Sequence, residues 1–208
     1  MKKHESTPAE SVAVSVKLEK IRGPIPKMRR SPLMGRITAK ERKALRRTCY
    51  HEGGHYIALR SFGVHGIVEI RPNNGEGDKK VFGCVQILGR LTPWQLSVMC
   101  WAGPLAEAFF EDREKDPWQA IVPGGDPVYL LRDPDWLEGD GKYSAWDYAS
   151  DIDRQGIMGH PREHRTFLAA ARVLIKWIKN VEYFIARLYR MTPAAELRPA
   201  RIGKRSQS

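Results

Sequence analysis

Apolar positions fall at helical spacing in some stretches, at alternating spacing in others, and without period in the rest. Residues 1–36 belong to the last kind: Pro, Gly, Ser and basic residues mix without helical or strand period, which reads as a flexible leader. A helix then starts at Thr38-Ala39-Lys40-Glu41, whose spacing is that of a capping box, with Thr at N-cap and Glu at N3. It is expected to run to about residue 61, with Gly63 near its C-terminal end. "GIVEIRP" (66–72) and "KVFGCVQILG" (80–89) predict two strands joined by the turn-rich "NNGEGDK". Thr92-Pro93-Trp94-Gln95 is a second capping box with Pro at N1, opening a helix through about residue 102. Gly103-Pro104 is expected to interrupt it, with "LAEAFFED" continuing as a separate helical segment.

Residues 113–141 are rich in proline, glycine and acidic side chains and read as loop. A short helix fits 145–156, with Ser144 as its N-cap. Finally "REHRTFLAAARVLIKWIKNVEYFIARLYR" keeps apolar residues three and four apart, which predicts one long amphipathic helix ending before Pro193. The order of elements predicts an α+β domain, mainly helical, with a small β-sheet. Its expected extent is 37–192, between the leader and a basic C-terminal tail, 193–208.

With 208 residues, the chain is long enough to bury a core. No apolar run reaches the roughly 18–20 residues that span a bilayer, and the N-terminal stretch lacks the apolar centre of a secretory signal. Cys49, Cys84 and Cys100 are odd in number, widely separated and without a C-x-x-C pair. They suit buried free thiols in a reducing cytoplasm better than a disulfide framework or a cysteine zinc site. Charge is uneven. Residues 1–47 hold 14 Lys/Arg against 4 Asp/Glu, residues 48–178 hold 14 against 18, and residues 179–208 hold 7 against 2. A mildly acidic body thus carries basic ends, which could meet nucleic acid, anionic lipid or an acidic partner. No aromatic residue is interleaved with the basic ones in 1–47 to stack bases, so solvated tails are the simpler reading. A homo-oligomer stays open.

The chemistry concentrates in "RRTCYHEGGHYIALRSFGV", residues 46–64. On a helix, His51 and His55 lie on one face about one turn apart, so both imidazoles can reach one ion. Glu52 sits one residue round, placed to take a proton from metal-bound water instead of ligating. Gly53 and Gly54 each cost about 1 kcal/mol relative to Ala inside a helix. They make sense where a strand or a substrate backbone must come close. A zinc site of this kind needs a third protein ligand. The H-E-x-x-H-x-x-G-x-x-H extension fails, because Ala58 and Ser61 stand where Gly and His would be. His65, Glu107, Asp147, Asp151 and Asp153 remain, and spacing alone does not choose among them.

"ERKALRRTCYHEGGHYIAL" resembles the zinc helix of the FtsH family of ATP-dependent metalloproteases. Three further pieces follow in that family's order: "VHGIVEIRPNNGEG", "WAGPLAEAFF" and "YSAWDYASDIDRQ". The resemblance covers roughly residues 42–158 and implies a zincin-like metallopeptidase domain with Zn²⁺ as cofactor. It implies Asp147 as the third ligand beside His51 and His55, Glu52 as catalytic base, and Glu107 as the group holding a ligand imidazole by its other N–H. Glu107 in a plain helical salt bridge is the competing reading. The strand 80–89 could take a substrate by backbone pairing along its edge, or be an ordinary internal strand. The chain has no G-x-x-x-x-G-K-[ST] phosphate loop, so the motor of that family is absent. The implied activity is hydrolysis of peptide bonds in a flexible protein or peptide substrate, or in one delivered by a separate ATPase or adaptor partner; tight autoinhibition is a further expectation. The rival is a zinc-bearing regulatory or binding module with little or no proteolytic activity. "HPREH" (160–164) matches an inverted zinc motif, but Pro161 at the helix start would turn His160 away from His164.

Overall fold

The computed structural model describes residues 18, 38–72, 81–111, 146 and 148–191. Their architecture is α+β and mainly helical, with one two-stranded antiparallel sheet. Helix α1 (Ala39–Ser61) starts as its sequence dictates: Thr38 Oγ1 accepts from the Glu41 N–H at 3.2 Å, and the Thr38 N–H donates to Glu41 Oε2 at 2.7 Å. At its other end Gly63 adopts φ 74°, a left-handed conformation that a side chain would resist. There the Gly63 N–H donates to Arg60 O at 3.0 Å and the Val64 N–H to Leu59 O at 3.1 Å, which closes the helix and turns the chain back.

The returning chain forms β1 (His65–Pro72), which pairs with β2 (Val81–Leu88) in a register running from His65↔Leu88 to Pro72↔Val81. The connecting turn, 73–80, lies outside the described residues. Alternation sends Val68 and Val81 toward the core, while Phe82 and Leu88 stay exposed on the other face.

Helix α2 (Pro93–Glu111) runs unbroken through Pro104, contrary to the expected interruption at Gly103-Pro104. Proline inside a helix costs about 3 kcal/mol, yet Trp101, Ala102, Leu105, Ala106, Ala108 and Phe109 are all buried along this segment. Burying a large apolar side chain contributes roughly 1.5–3 kcal/mol, so packing outweighs the local penalty. Helix α3 (Asp151–Met158) is shorter than the helix expected over 145–156. Its N-cap is Ser150, and the expected cap, Ser144, lies outside the described residues.

The expected long C-terminal helix is two: α4 (Glu163–Lys176) and α5 (Ile178–Met191), separated at Trp177, where φ is −111° and ψ 20°. The apolar period reads through this break because both halves turn their apolar side to the core: Phe167, Leu168 and Leu174 on α4, and Val181, Phe184, Ile185 and Leu188 on α5. The two halves pack against different partners, α4 mainly on α2 and α5 on α1. Tyr56 of α1 stacks on Phe184 of α5 with ring centroids 4.5 Å apart.

Helix α1 is therefore the central element, enclosed by α2, α4, α5 and the hairpin. Its glycines mark the closest approaches. A Cβ on Gly54 would run into the Ala102 carbonyl of α2, and one on Gly53 would lie 2.9 Å from Ile185 Cγ1. The backbone that comes close is thus a neighbouring helix instead of a strand or substrate. Of the leader, Leu18 is described, packed against the core. No described helix is long and apolar enough to cross a membrane.

Candidate metal centre

Three helices converge on one point. Helix α1 supplies His51 and His55, whose rings meet edge to face with centroids 4.7 Å apart. Helix α3 supplies Asp153. His51 Nε2 lies 3.2 Å from Asp153 Oδ2, and His55 Nε2 lies 3.3 Å from Asp153 Oδ1. A donor atom from each of the three can be chosen so that all lie within 4.8 Å of one another. Ligands about 2.0–2.1 Å from a tetrahedral zinc stand about 3.3–3.4 Å apart. The two imidazole–carboxylate separations therefore fit an edge of such a tetrahedron.

The outward-facing nitrogens are engaged as well. His55 Nδ1 lies 2.7 Å from the Met99 carbonyl of α2, which fixes an N–H there and leaves Nε2 as the lone-pair nitrogen. His51 Nδ1 lies 3.1 Å from Glu107 Oε2, also on α2. Metal-ligating histidines are held this way, by a carbonyl or carboxylate on the ring nitrogen that does not face the ion. Glu107 serves two partners, because its Oε1 also takes Arg47 Nε at 2.9 Å and Arg47 Nη2 at 2.6 Å. The two expectations for Glu107, imidazole holder and helical ion pair, are geometrically compatible.

Asp153 is positioned by the start of its own helix. Ser150 caps α3, accepting the Asp153 N–H at 3.2 Å. In return its N–H and hydroxyl donate to Asp153 Oδ2 at 3.0 and 2.7 Å. The capping box thus aims the carboxylate at the imidazoles. Helix approach matters too: a Cβ on Gly103 would collide with the His55 ring, and one on Gly156 with Cys100 Sγ.

Electrostatics separates the two histidines. Burial works against a charged His51, but hydrogen bonds to Asp153 and Glu107, with the charges of Glu52 and Asp153, push it up to about 10. His55 goes the other way: burial, helped by the charge of His51, pulls it down to about 4 against the opposing influence of Asp153 and the Met99 carbonyl. Burial disfavours the Asp153 anion, yet the His51 hydrogen bond and the two imidazoles hold its carboxyl well below the usual range. Without a metal, one proton sits on His51 facing Asp153, where a divalent cation would displace it. Two imidazoles and a carboxylate form a donor set suited to zinc and match the three protein ligands that leave a position for water.

Glu52 is buried at 5% exposure beneath β2, where a Cβ on Gly83 would fall 2.6 Å from its Cγ and Oε1. Its charge, after burial, raises the Cys49 thiol. Burial and the charge of Asp153 likewise push the Cys100 thiol up to about 12. Asp147, the ligand implied by the family resemblance, lies outside the described residues. Of the other acids and histidines left open, Asp153 joins His51 and His55. Asp151 points to solvent beside Arg154, and His65 is exposed at the start of β1. The Ser150–Asp153 spacing is itself a capping-box signal; reading the helix start at Ser144 hid it. Arg47 and the Met99 carbonyl have no sequence signal, since their roles arise from the crossing of α1 and α2. His160 accepts the Arg162 N–H at 3.1 Å and packs edge-on to Trp94. Among the described residues it joins no metal-type group.

No protein-family model, curated protein or solved structure matches the chain.

Proposed function

We propose that this chain is a zinc-dependent endopeptidase that hydrolyses peptide bonds of flexible or partner-delivered proteins. The observation that carries this reading is the convergence of His51 Nε2 and His55 Nε2 on Asp153 at 3.2 and 3.3 Å, with both outer ring nitrogens already engaged. The resemblance of these segments to FtsH-type peptidases supports the same reading, with Asp153 taking the third place. Zinc held there would lower the pKa of a water molecule toward about 7 and polarise the scissile carbonyl. His51, His55 and Asp153 are the holding groups, and Glu107 and the Met99 carbonyl keep the two rings aimed. Glu52, next to His51 on α1, takes the proton from water and returns it to the leaving amine. Among the described residues β2 pairs only with β1, so its other edge is the place for an extended substrate to add by backbone hydrogen bonds.

Glu52→Gln keeps the size of the side chain and removes the base. It should preserve the fold and bound metal while lowering cleavage of a denatured casein-type substrate by roughly 10²–10⁴-fold. Undiminished turnover would remove Glu52 from that role. A second reading, a zinc-bearing regulatory or binding module, is favoured by the low exposure of the ligand side chains: 13% for His51, 8% for His55 and 6% for Asp153. Measuring casein cleavage with and without chelator, with metal content determined on the same sample, separates the two. Chelator-sensitive cleavage supports the peptidase. Stoichiometric zinc without cleavage supports the binding module.

A further inference from the structure

The groups around the metal centre form one connected chain, and its outer end is an arginine that holds no metal. Arg47 stands four residues before His51 on α1, so it lies one turn along the same face. Its Nε and Nη2 both reach Glu107 Oε1, at 2.9 and 2.6 Å. The other oxygen of that carboxylate meets His51 Nδ1 at 3.1 Å. On its far side the Arg47 guanidinium carbon stands 5.2 Å from the centroid of the Tyr148 ring. Tyr148 lies two residues before Ser150, whose N–H and hydroxyl grip Asp153. One guanidinium therefore touches both the group that orients His51 and the segment that delivers Asp153.

We propose that Arg47 is a positioning residue of the metal centre: it fixes Glu107 on His51 and, through Tyr148, registers the Asp153-bearing segment against α1. The proposal rests on the reading of His51, His55 and Asp153 as metal ligands. Each oxygen of Glu107 has its own duty, and Arg47 is what separates them. Remove the guanidinium, and a carboxylate exposed at only 9% keeps its contact with His51 but loses the fork that held its other oxygen. It then gains by turning toward water, and that turn releases Nδ1. Lysine would keep the charge and the contact with the ring but not the planar fork that meets a carboxylate through two N–H groups. A merely structural Arg–Glu pair at this exposure would contribute little to stability and nothing to metal affinity.

The test uses the full chain, Zn²⁺ titrated in competition with a chelating dye, and Co²⁺ as a spectroscopic probe. Arg47→Met should weaken Zn²⁺ binding by roughly 10–100-fold and alter the visible bands of bound Co²⁺, and Arg47→Lys should recover part of both. Glu107→Gln should show a loss of similar size. The double variant Arg47→Met/Glu107→Gln should lose less affinity than the product of the two single losses, because Arg47 acts in part through Glu107. Affinity of Arg47→Met within twofold of the unaltered chain overturns the proposal, as do losses that multiply in the double variant. If Arg47→Met does not fold by circular dichroism, Arg47→Gln and Arg47→Lys are judged by the same criterion. Failure of the unaltered chain to bind either ion is a different result, and it overturns the metal reading itself.

Discussion

The two histidines of one helical turn are held by opposite means. Around His51 the supports are charged side chains, Glu107 and Arg47, at the edge of the molecule, with Arg47 exposed at 38%. Around His55 they are backbone: the Met99 carbonyl on Nδ1 and the surface of α2 at Gly103, which leaves no room for a Cβ beside the ring. The first half is set by electrostatics and the second by packing density. The chemistry follows the support. His51 is pushed up to about 10 and His55 pulled down to about 4, although both face the same carboxylate. A motif that looks symmetric in sequence thus holds one imidazole that favours its proton and one that favours the neutral form when folded.

The largest effect should come from the packed half. Gly103→Ala places a methyl group in the space of the His55 ring. The ring cannot step aside without giving up its bond to Met99 O, and widening the α1–α2 crossing would open the close contact of Gly54 with the Ala102 carbonyl. Overpacking of this kind costs about 3 kcal/mol, and metal affinity should fall with it. Urea denaturation beside a metal titration checks both. A variant with unchanged stability and unchanged affinity would show that the packed half is looser than described.

What the sequence reveals divides along the same line. Helix period alone puts His51 and His55 on one face, and local pairing of Thr38 with Glu41 and of Thr92 with Gln95 marks two helix starts that the structure keeps. The paired residues stand three or four positions apart, so no tertiary contact is needed to read them. The hairpin is legible for the same reason. The carboxylate that meets the imidazoles is about 100 residues away in the chain, and only the docking of α3 on α2 selects Asp153 from the acids nearby. Pro104 and Trp177 mislead in opposite directions. Buried contacts carry α2 through a proline, while an unbroken apolar period conceals a one-residue break between α4 and α5. In both places packing overrules the local rule.

The electrostatic half predicts a pH dependence of metal binding. Between pH 6 and 8 His51, raised to about 10, carries a proton, and His55, lowered to about 4, does not. An incoming cation must therefore expel one proton, and that proton comes from His51. Lower pH supplies the competitor, so apparent affinity should rise with pH by about tenfold per unit, roughly 100-fold over this range. Competition titrations at several pH values measure the slope. A slope near zero would mean that His51 is already neutral in the metal-free protein. A slope near two would mean that His55 shares its protonation, and the contrast between the halves would disappear.

The smallest effect sharpens the comparison by using two equivalent helix caps. Thr38 and Ser150 make the same reciprocal contacts with the third residue of their helices, Glu41 and Asp153. Replacing either by Ala removes a cap, which costs about 1 kcal/mol. In Thr38→Ala that should be the whole effect, because Glu41 lies at the exposed start of α1. In Ser150→Ala the lost hydroxyl also donated to Asp153 Oδ2 at 2.7 Å, the oxygen that faces His51. Metal affinity should then fall as well, by up to about tenfold, at the low end of what losing a group that orients a ligand costs. Measuring thermal stability without metal and zinc affinity for both variants isolates the difference. Equal stability losses with unequal affinity losses would mean that the Ser150 cap also aims a ligand; equal losses in both measurements would reduce it to an ordinary helix start.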